Sequence, residues 1–284
     1  MSAHDETLSE RDYTRLCELV YREAGIHLGT GKRTMLEARI KRRLKVLNLA
    51  SYRQYCDYLF GQQGLKDEIL HLIDVVTTNK TDFFREPAHF DYLMQTALRE
   101  MVANSQPGRP LLIWSAGCSS GEEPYTLAML LSEYAEAHPG FQFRLLATDI
   151  STTVLEKAAQ GVYAGAVVEP VPAHMRRKYL MRSRNRNSDQ VRVVPELRGL
   201  IEFRRLNFMD RDYGVETKAD AIFCRNVIIY FDRQTQENIL LKLSHHLVPR
   251  GYLFVGHAES LHDMHLPVSP VAPALYRRVT SHGG

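Results

Sequence analysis

The sequence predicts an α/β protein: an all-α N-terminal domain, then an open parallel sheet that carries a small antiparallel β insertion. Three observations predict it. Up to about residue 80, apolar residues recur only at helical spacing. From Leu111 onward, short apolar runs alternate with helical stretches, the pattern of a parallel sheet covered on both faces. Between about residues 172 and 200 this alternation yields to two short β-rich runs joined by a polar loop. The expected domains are residues 1–78 and 79–284, with the insertion inside the second.

In the first domain, Ser9 followed by Asp12 resembles a helix-capping signal, and Tyr13, Leu16, Leu19 and Val20 share one helical face. Gly25 and Gly29 break that pattern. A second helix from about Thr30 carries Leu36, Ile40, Leu44 and Leu47 on one stripe. Its Arg39, Arg42 and Arg43 are three and four positions apart and so share a face. Ser51 opens a third helix with Tyr52, Tyr55 and Leu59, and a fourth carries Leu65, Ile69, Leu72, Ile73 and Val76. After the polar stretch Thr77–Pro87, one more helix presents Phe90, Leu93, Met94, Ala97, Leu98 and Met101, and the segment 104–110 is a turn-rich connector.

Strands are then expected at 111–114, 143–147, 201–203, 219–224 and 252–256, with helices at 123–134, 152–160 and 233–247. Lys178–Arg182 and Val191–Val194 read as a β-hairpin around the loop Ser183–Gln190.

Composition narrows the class. The chain has 284 residues, 44% hydrophobic and 24% charged, enough to bury a core. No apolar run approaches the roughly 18 residues of a membrane span, and the polar start Met1–Glu6 lacks signal-peptide features, so a cytoplasmic protein is expected. Cys17, Cys56, Cys118 and Cys224 lie far apart with no CxxC pair, which offers neither zinc site nor disulfide framework. His257, His262 and His265 do not follow metal-ligand spacing, and no metal is expected. A net charge of +3 is too mild to mark a nucleic-acid binder.

The candidate chemistry sits after the strands, where open parallel sheets bind ligands. Small residues in Ser115–Gly121 let a ligand approach the backbone. Asp149, at the end of the next strand, suits a two-point grip on ribose hydroxyls. Asn207 and Phe208 read either as an adenine pocket of amide and ring or as a turn residue beside a core residue. Arg225 and Asn226 interrupt an apolar stretch, a costly placement unless something binds them. Together these features point to an adenosine-containing cofactor.

Four segments in this order, Thr77–Glu86, Ser119–Tyr125, Ala147–Ile150 and Phe223–Phe231, resemble the chemoreceptor glutamate methyltransferases of the CheR family. The resemblance runs from about Glu10 to Val279. It implies a Rossmann-like class I methyltransferase domain using S-adenosylmethionine, with S-adenosylhomocysteine as product. It further implies that Asn79, Thr81, Arg85, Glu123, Asp149, Asn207, Phe208, Arg225 and Asn226 line the cofactor site. Arg85 and Tyr230 would stand at the methyl-transfer point, and Arg39, Arg42 and Arg43 would contact the acidic helices of methyl-accepting chemotaxis receptors. A monomer that neither binds nucleic acid nor inserts into membrane is expected. In some members the insertion docks a pentapeptide at the receptor tail. Here the loop Ser183–Gln190 lacks the glycines associated with that docking, which points to an enzyme working without such a tether.

A carboxylate acceptor agrees with these residues. A glutamate side chain, with a pKa near 4.3, is already ionised at neutral pH, so no general base is required and alignment carries the rate. Two rivals fit less well. A nucleic-acid methyltransferase would explain the basic helix, yet the Asn/Asp-Pro-Pro-Tyr of amino-methylating DNA enzymes is replaced here by Arg225-Asn-Val-Ile-Ile-Tyr. A catalytically silent S-adenosylmethionine sensor or receptor scaffold would not need Arg85 and Tyr230.

Overall fold

The computed structural model describes residues 7–61, 64–77, 79–185 and 187–279. The extreme ends of the two expected domains (1–6 and 280–284), the boundary residue Thr78 and the loop residue Arg186 lie outside the described residues.

Four helices open the chain: α1 (Glu10–Ala24), α2 (Arg33–Leu47), α3 (Tyr52–Leu59) and α4 (Gly64–Val76). Ser9 and Ser51 cap α1 and α3. Their hydroxyl oxygens accept the backbone N–H of Asp12 at 3.1 Å and of Gln54 at 3.2 Å, caps worth about 1 kcal/mol each. A 3₁₀ turn over Thr30–Lys32 delays the start of α2 to Arg33. The predicted stripe Leu36, Ile40 and Leu44 is buried, in one core with Leu16, Tyr55 and Ile73.

The basic face of α2 is divided. Arg39 donates to the carbonyls of Val75 at 2.8 Å and Thr77 at 2.7 Å, satisfying the end of α4. Arg43 makes a two-point contact with the buried Glu68, both bonds at 2.7 Å. These arginines hold the helical domain together, and the solvent-facing charges of α2 are Lys41, Arg42 and Lys45.

Next, α5 (Pro87–Tyr92) runs through a π turn (Leu93–Ala97) into α6 (Leu98–Asn104). The sheet region follows as β1 (Leu111–Ala116), α7 (Glu122–Ala137), β2 (Phe143–Asp149) and α8 (Thr152–Gln160). It is completed by β6 (Ile201–Arg205), β7 (Ala219–Cys224), α11 (Arg233–His245) and β8 (Leu247–Val255), and by β9 (Val268–Ala272) and β10 (Leu275–Arg278). The strand order is β6-β2-β1-β7-β8-β10-β9, parallel through β8 and antiparallel for the last two. Central β7 is buried at every position, as a strand covered on both faces must be. One face packs on the N-terminal helices and α11, the other on α5–α8 through Phe90, Tyr125, Leu127 and Phe254.

The insertion is larger than a hairpin. The strands β4 (Leu180–Arg182) and β5 (Val191–Val193) pair as predicted, and β3 (Val162–Tyr163) adds a third strand on the other side of β5. Lys178 and Tyr179, expected in the hairpin, instead end helix α9 (Ala173–Tyr179), where both bond Glu133. The short helix α10 (Pro195–Arg198) leads back to the main sheet.

Candidate active site

The strand order reverses at β1, which continues to β2 and β6 on one side while β7 and β8 lie on the other. A cavity opens at this switch point, the expected ligand position of such sheets. Asn79, Thr81, Arg85, Glu123, Asp149, Asn207, Phe208, Arg225, Asn226 and Tyr230 all line it. The arginines of α2 are not among its lining residues.

The loops after β1 and β7 meet at Gly117. Its φ is 88°, and a Cβ there would fall 2.4 Å from a methyl carbon of Val227, so only glycine admits the contact. Asp149, ending β2, accepts the backbone N–H of Ser119 at 2.9 Å and of Ser151 at 3.0 Å. An ionised carboxylate has about four acceptor sites, so capacity remains for a pair of ribose hydroxyls. Burial raises the Asp149 carboxyl above its ordinary value, against these backbone bonds.

Arg225 is the electrostatic centre. Its guanidinium, 2% exposed, bonds Glu86 at 3.1 Å and Glu123 at 3.0 Å, and also donates to the Arg85 carbonyl. It lies over the Phe90 ring at 5.2 Å. Burial alone would raise Glu86, but Arg225 and the Asn226 amide outweigh it and hold that carboxyl below the usual range. Burial of Glu123 wins instead, and its carboxyl is raised despite Arg225 and the Ser115 hydroxyl. The polar pair that interrupts an apolar stretch is therefore paid for within the protein.

The Asn207 amide donates to the Glu23 carbonyl at 2.6 Å and its oxygen accepts Met209 N–H at 3.0 Å. It ties the loop after β6 to the end of α1 while still lining the cavity, with one amide N–H and one oxygen lone pair beyond these two bonds. Phe208 combines both sequence readings: it lines the cavity and packs edge-on against Tyr213 and Phe231. Arg85 donates to the Lys80 carbonyl at 3.0 Å. Tyr230 ends a 3₁₀ turn (Ile228–Tyr230); its carbonyl accepts His27 N–H at 2.9 Å, and Lys32 lies over its ring at 5.4 Å. Ala24 and Ile26 complete the wall, so the helical domain closes one side of the site.

Several non-glycine residues of these loops adopt left-handed backbone: Phe84 and Glu86 flanking Arg85, Ser119 after β1, and Asn226 after β7, with φ between 49° and 58°. The histidines near the C-terminus do not converge. His262 pairs with Asp263 and His265 with Glu237, whereas His257 joins Glu86 and His89, with potential ligand atoms within 4.8 Å of one another. That Glu86 carboxylate is the partner of Arg225, whose charge opposes a cation there. His89 is held neutral: burial, then Arg225, pushes it down to about 4.

Sequence reasoning missed Glu86 and the contribution of α1. Glu86 follows Arg85 directly, and only the left-handed turn between them reveals which way its carboxylate points. The bond that ties α1 to the site, Asn207 to Glu23, spans 184 positions.

The donor set fits an adenosine-containing cofactor, with a carboxylate for paired hydroxyls, a glycine turn for close approach and an apolar wall of Ile26, Val76, Ile150 and Leu206. Fold and site thus define a Rossmann-like nucleotide-cofactor enzyme. The chain belongs to the CheR methyltransferase family: residues 79–272 match its S-adenosylmethionine-binding domain and residues 11–77 its all-alpha domain. It is 40% identical to chemotaxis protein methyltransferase 2 of Pseudomonas aeruginosa, over 94% of this chain and 93% of that one. To the chemotaxis protein methyltransferase of Borreliella burgdorferi it is 37% identical over 95% of each, and to that of Escherichia coli 39% over 89% and 85%. It is accordingly an S-adenosylmethionine-dependent methyltransferase. No helix among the described residues is long and apolar enough to cross a membrane.

Proposed function

We propose that this enzyme methylates glutamate side chains in the cytoplasmic helical region of chemotaxis receptors, forming glutamyl methyl esters, and that it acts in the cytoplasm as a monomer. The observation that carries the reading is the cavity itself, where Asp149, Glu123 and Arg225 meet Arg85 and Tyr230 and no histidine lines the wall among the described residues. When bound, the cofactor supplies an electrophilic sulfonium methyl. Asp149 holds the ribose, Glu123 and Arg225 set the local charge, and Arg85 orients the ionised acceptor. Tyr230 positions the acceptor beside the methyl group. Residues 1–78 present the receptor-facing helix and 79–284 the chemistry. Incubation with methyl-labelled cofactor and receptor-enriched membranes tests this: base-labile, volatile label is expected, and label stable to base would reject ester formation.

Tyr230→Phe is expected to lower turnover about tenfold or more while leaving cofactor affinity nearly unchanged, the loss of one hydrogen bond made mainly in the transition state. Parent turnover in this variant would show the hydroxyl to be dispensable.

The receptor-facing charges are proposed to be Lys41, Arg42 and Lys45, because Arg39 and Arg43 are engaged within the domain. Reversing Arg42 and Lys45 to Glu is expected to raise the KM for receptor more at low salt than at high salt, since exposed charges are screened beyond about 8–10 Å in physiological salt. A salt-independent effect would contradict charge recognition. Arg43→Glu serves as the contrast, since it sets a second carboxylate beside buried Glu68 and damages the fold.

A further inference from the structure

A buried carboxylate outside the cavity wall organises the loop that carries Arg225 and Asn226. Glu259 follows β8 in the turn Gly256-His-Ala-Glu and is 6% exposed. Its Oε2 accepts the backbone N–H of Asn226 at 2.9 Å and of Gly256 at 2.6 Å. Its Oε1 accepts those of Val227 at 2.8 Å and Ile228 at 2.9 Å. Backbone donors converging in this way form an anion-binding nest, here filled by a side chain of the same protein. The approach is close: a Cβ on Gly256 would fall 2.4 Å from the side-chain Nδ2 of Asn226 and 2.9 Å from its backbone nitrogen. Asn226 itself has a φ of 58°, a conformation that persists only where surrounding contacts over-determine it.

We infer that Glu259 is a positioning residue for methyl transfer. Its carboxylate fixes the turn from Asn226 to Ile228, and thereby where Arg225 and Asn226 stand in the cofactor wall and where Tyr230 enters just beyond. The charge and its acceptors are what the turn requires, not the volume of the side chain. Glutamine has the same shape, yet it offers a single acceptor oxygen and turns an NH₂ group against N–H donors. The inference rests on the cofactor-site reading above, and binding of S-adenosylmethionine by the parent protein tests that reading separately from the behaviour of the variants.

Calorimetry with S-adenosylmethionine and a methyl-transfer assay decide the matter. Glu259→Gln is expected to lose about tenfold or more in both cofactor affinity and turnover. Glu259→Asp keeps the charge but reaches one methylene less far; it is the milder variant, expected to fold and to lose turnover several-fold. Glu259→Ala empties the nest, and formate is expected to restore part of its affinity where equimolar chloride does not. Parent affinity and turnover in folded Glu259→Gln would overturn the inference. So would parent turnover in Glu259→Asp, or equal effects of formate and chloride on Glu259→Ala.

Discussion

The Arg225→Met variant is expected to melt on the order of 10 °C below the parent and to lose measurable cofactor binding. Methionine matches much of the arginine stem but removes the guanidinium that Glu86 and Glu123 share, two carboxylates held in a largely buried site. Breaking a buried ion pair from one side costs about 3–5 kcal/mol, because a charge is left uncompensated. The pH dependence follows with a definite sign. In the parent, Glu86 has a lowered pKa, so its contribution to stability is present above the ordinary carboxylate range and is lost as pH falls. In the variant both carboxyls are pushed upward, and their protonated forms are the ones the fold tolerates. The deficit against the parent is therefore expected to be smaller near pH 5 than near pH 8. Thermal melts of both proteins across that interval check it, and a deficit independent of pH would contradict the charge argument.

Asp149→Ala is expected to weaken cofactor binding by about 2–4 kcal/mol, roughly 30- to 1,000-fold in Kd. The carboxylate ends β2 one strand–helix unit beyond the Gly117 turn, and its two backbone bonds leave acceptor sites for the ribose. Loss of the same bonds leaves the N–H groups of Ser119 and Ser151 without their acceptor, so the melting temperature is measured alongside calorimetry. Unchanged affinity in a folded variant would remove the ribose assignment.

The parts of the fold that were legible in the sequence are those set by local periodicity. The stripe of α2, the serine caps and the main-sheet strands β1, β2, β6, β7 and β8 needed only spacing and hydrophobic pattern. The antiparallel β9 and β10 escaped because Val268-Ser-Pro-Val-Ala combines low hydrophobicity with a proline, which a sheet tolerates at its edge. A two-residue strand such as β3 carries no periodic signal at all. The cavity residues were legible because strand ends concentrate function and because the motifs resemble a known family. Their individual partners were not. Arg39, Arg42 and Arg43 look equivalent on a helical wheel, and only the positions of Thr77 and Glu68 in space divide them. Glu259 gave no local signal, since three of the four N–H groups that it gathers, those of Asn226, Val227 and Ile228, lie more than thirty positions earlier.

The left-handed residues around the cavity set a limit on how heat-resistant this enzyme can become. Each such conformation in a non-glycine residue costs of order 1–3 kcal/mol, and Phe84, Glu86, Ser119 and Asn226 all adopt one. Glycine at any of them would relax the backbone, but at Glu86 or Asn226 it would also delete a side chain bonded at the centre of the site. Hardening by substitution has room elsewhere, for instance at Val46, which is 71% exposed on α2. At the loops after β1 and β7 and around Arg85, thermal endurance and turnover draw on the same few residues and pull them in opposite directions.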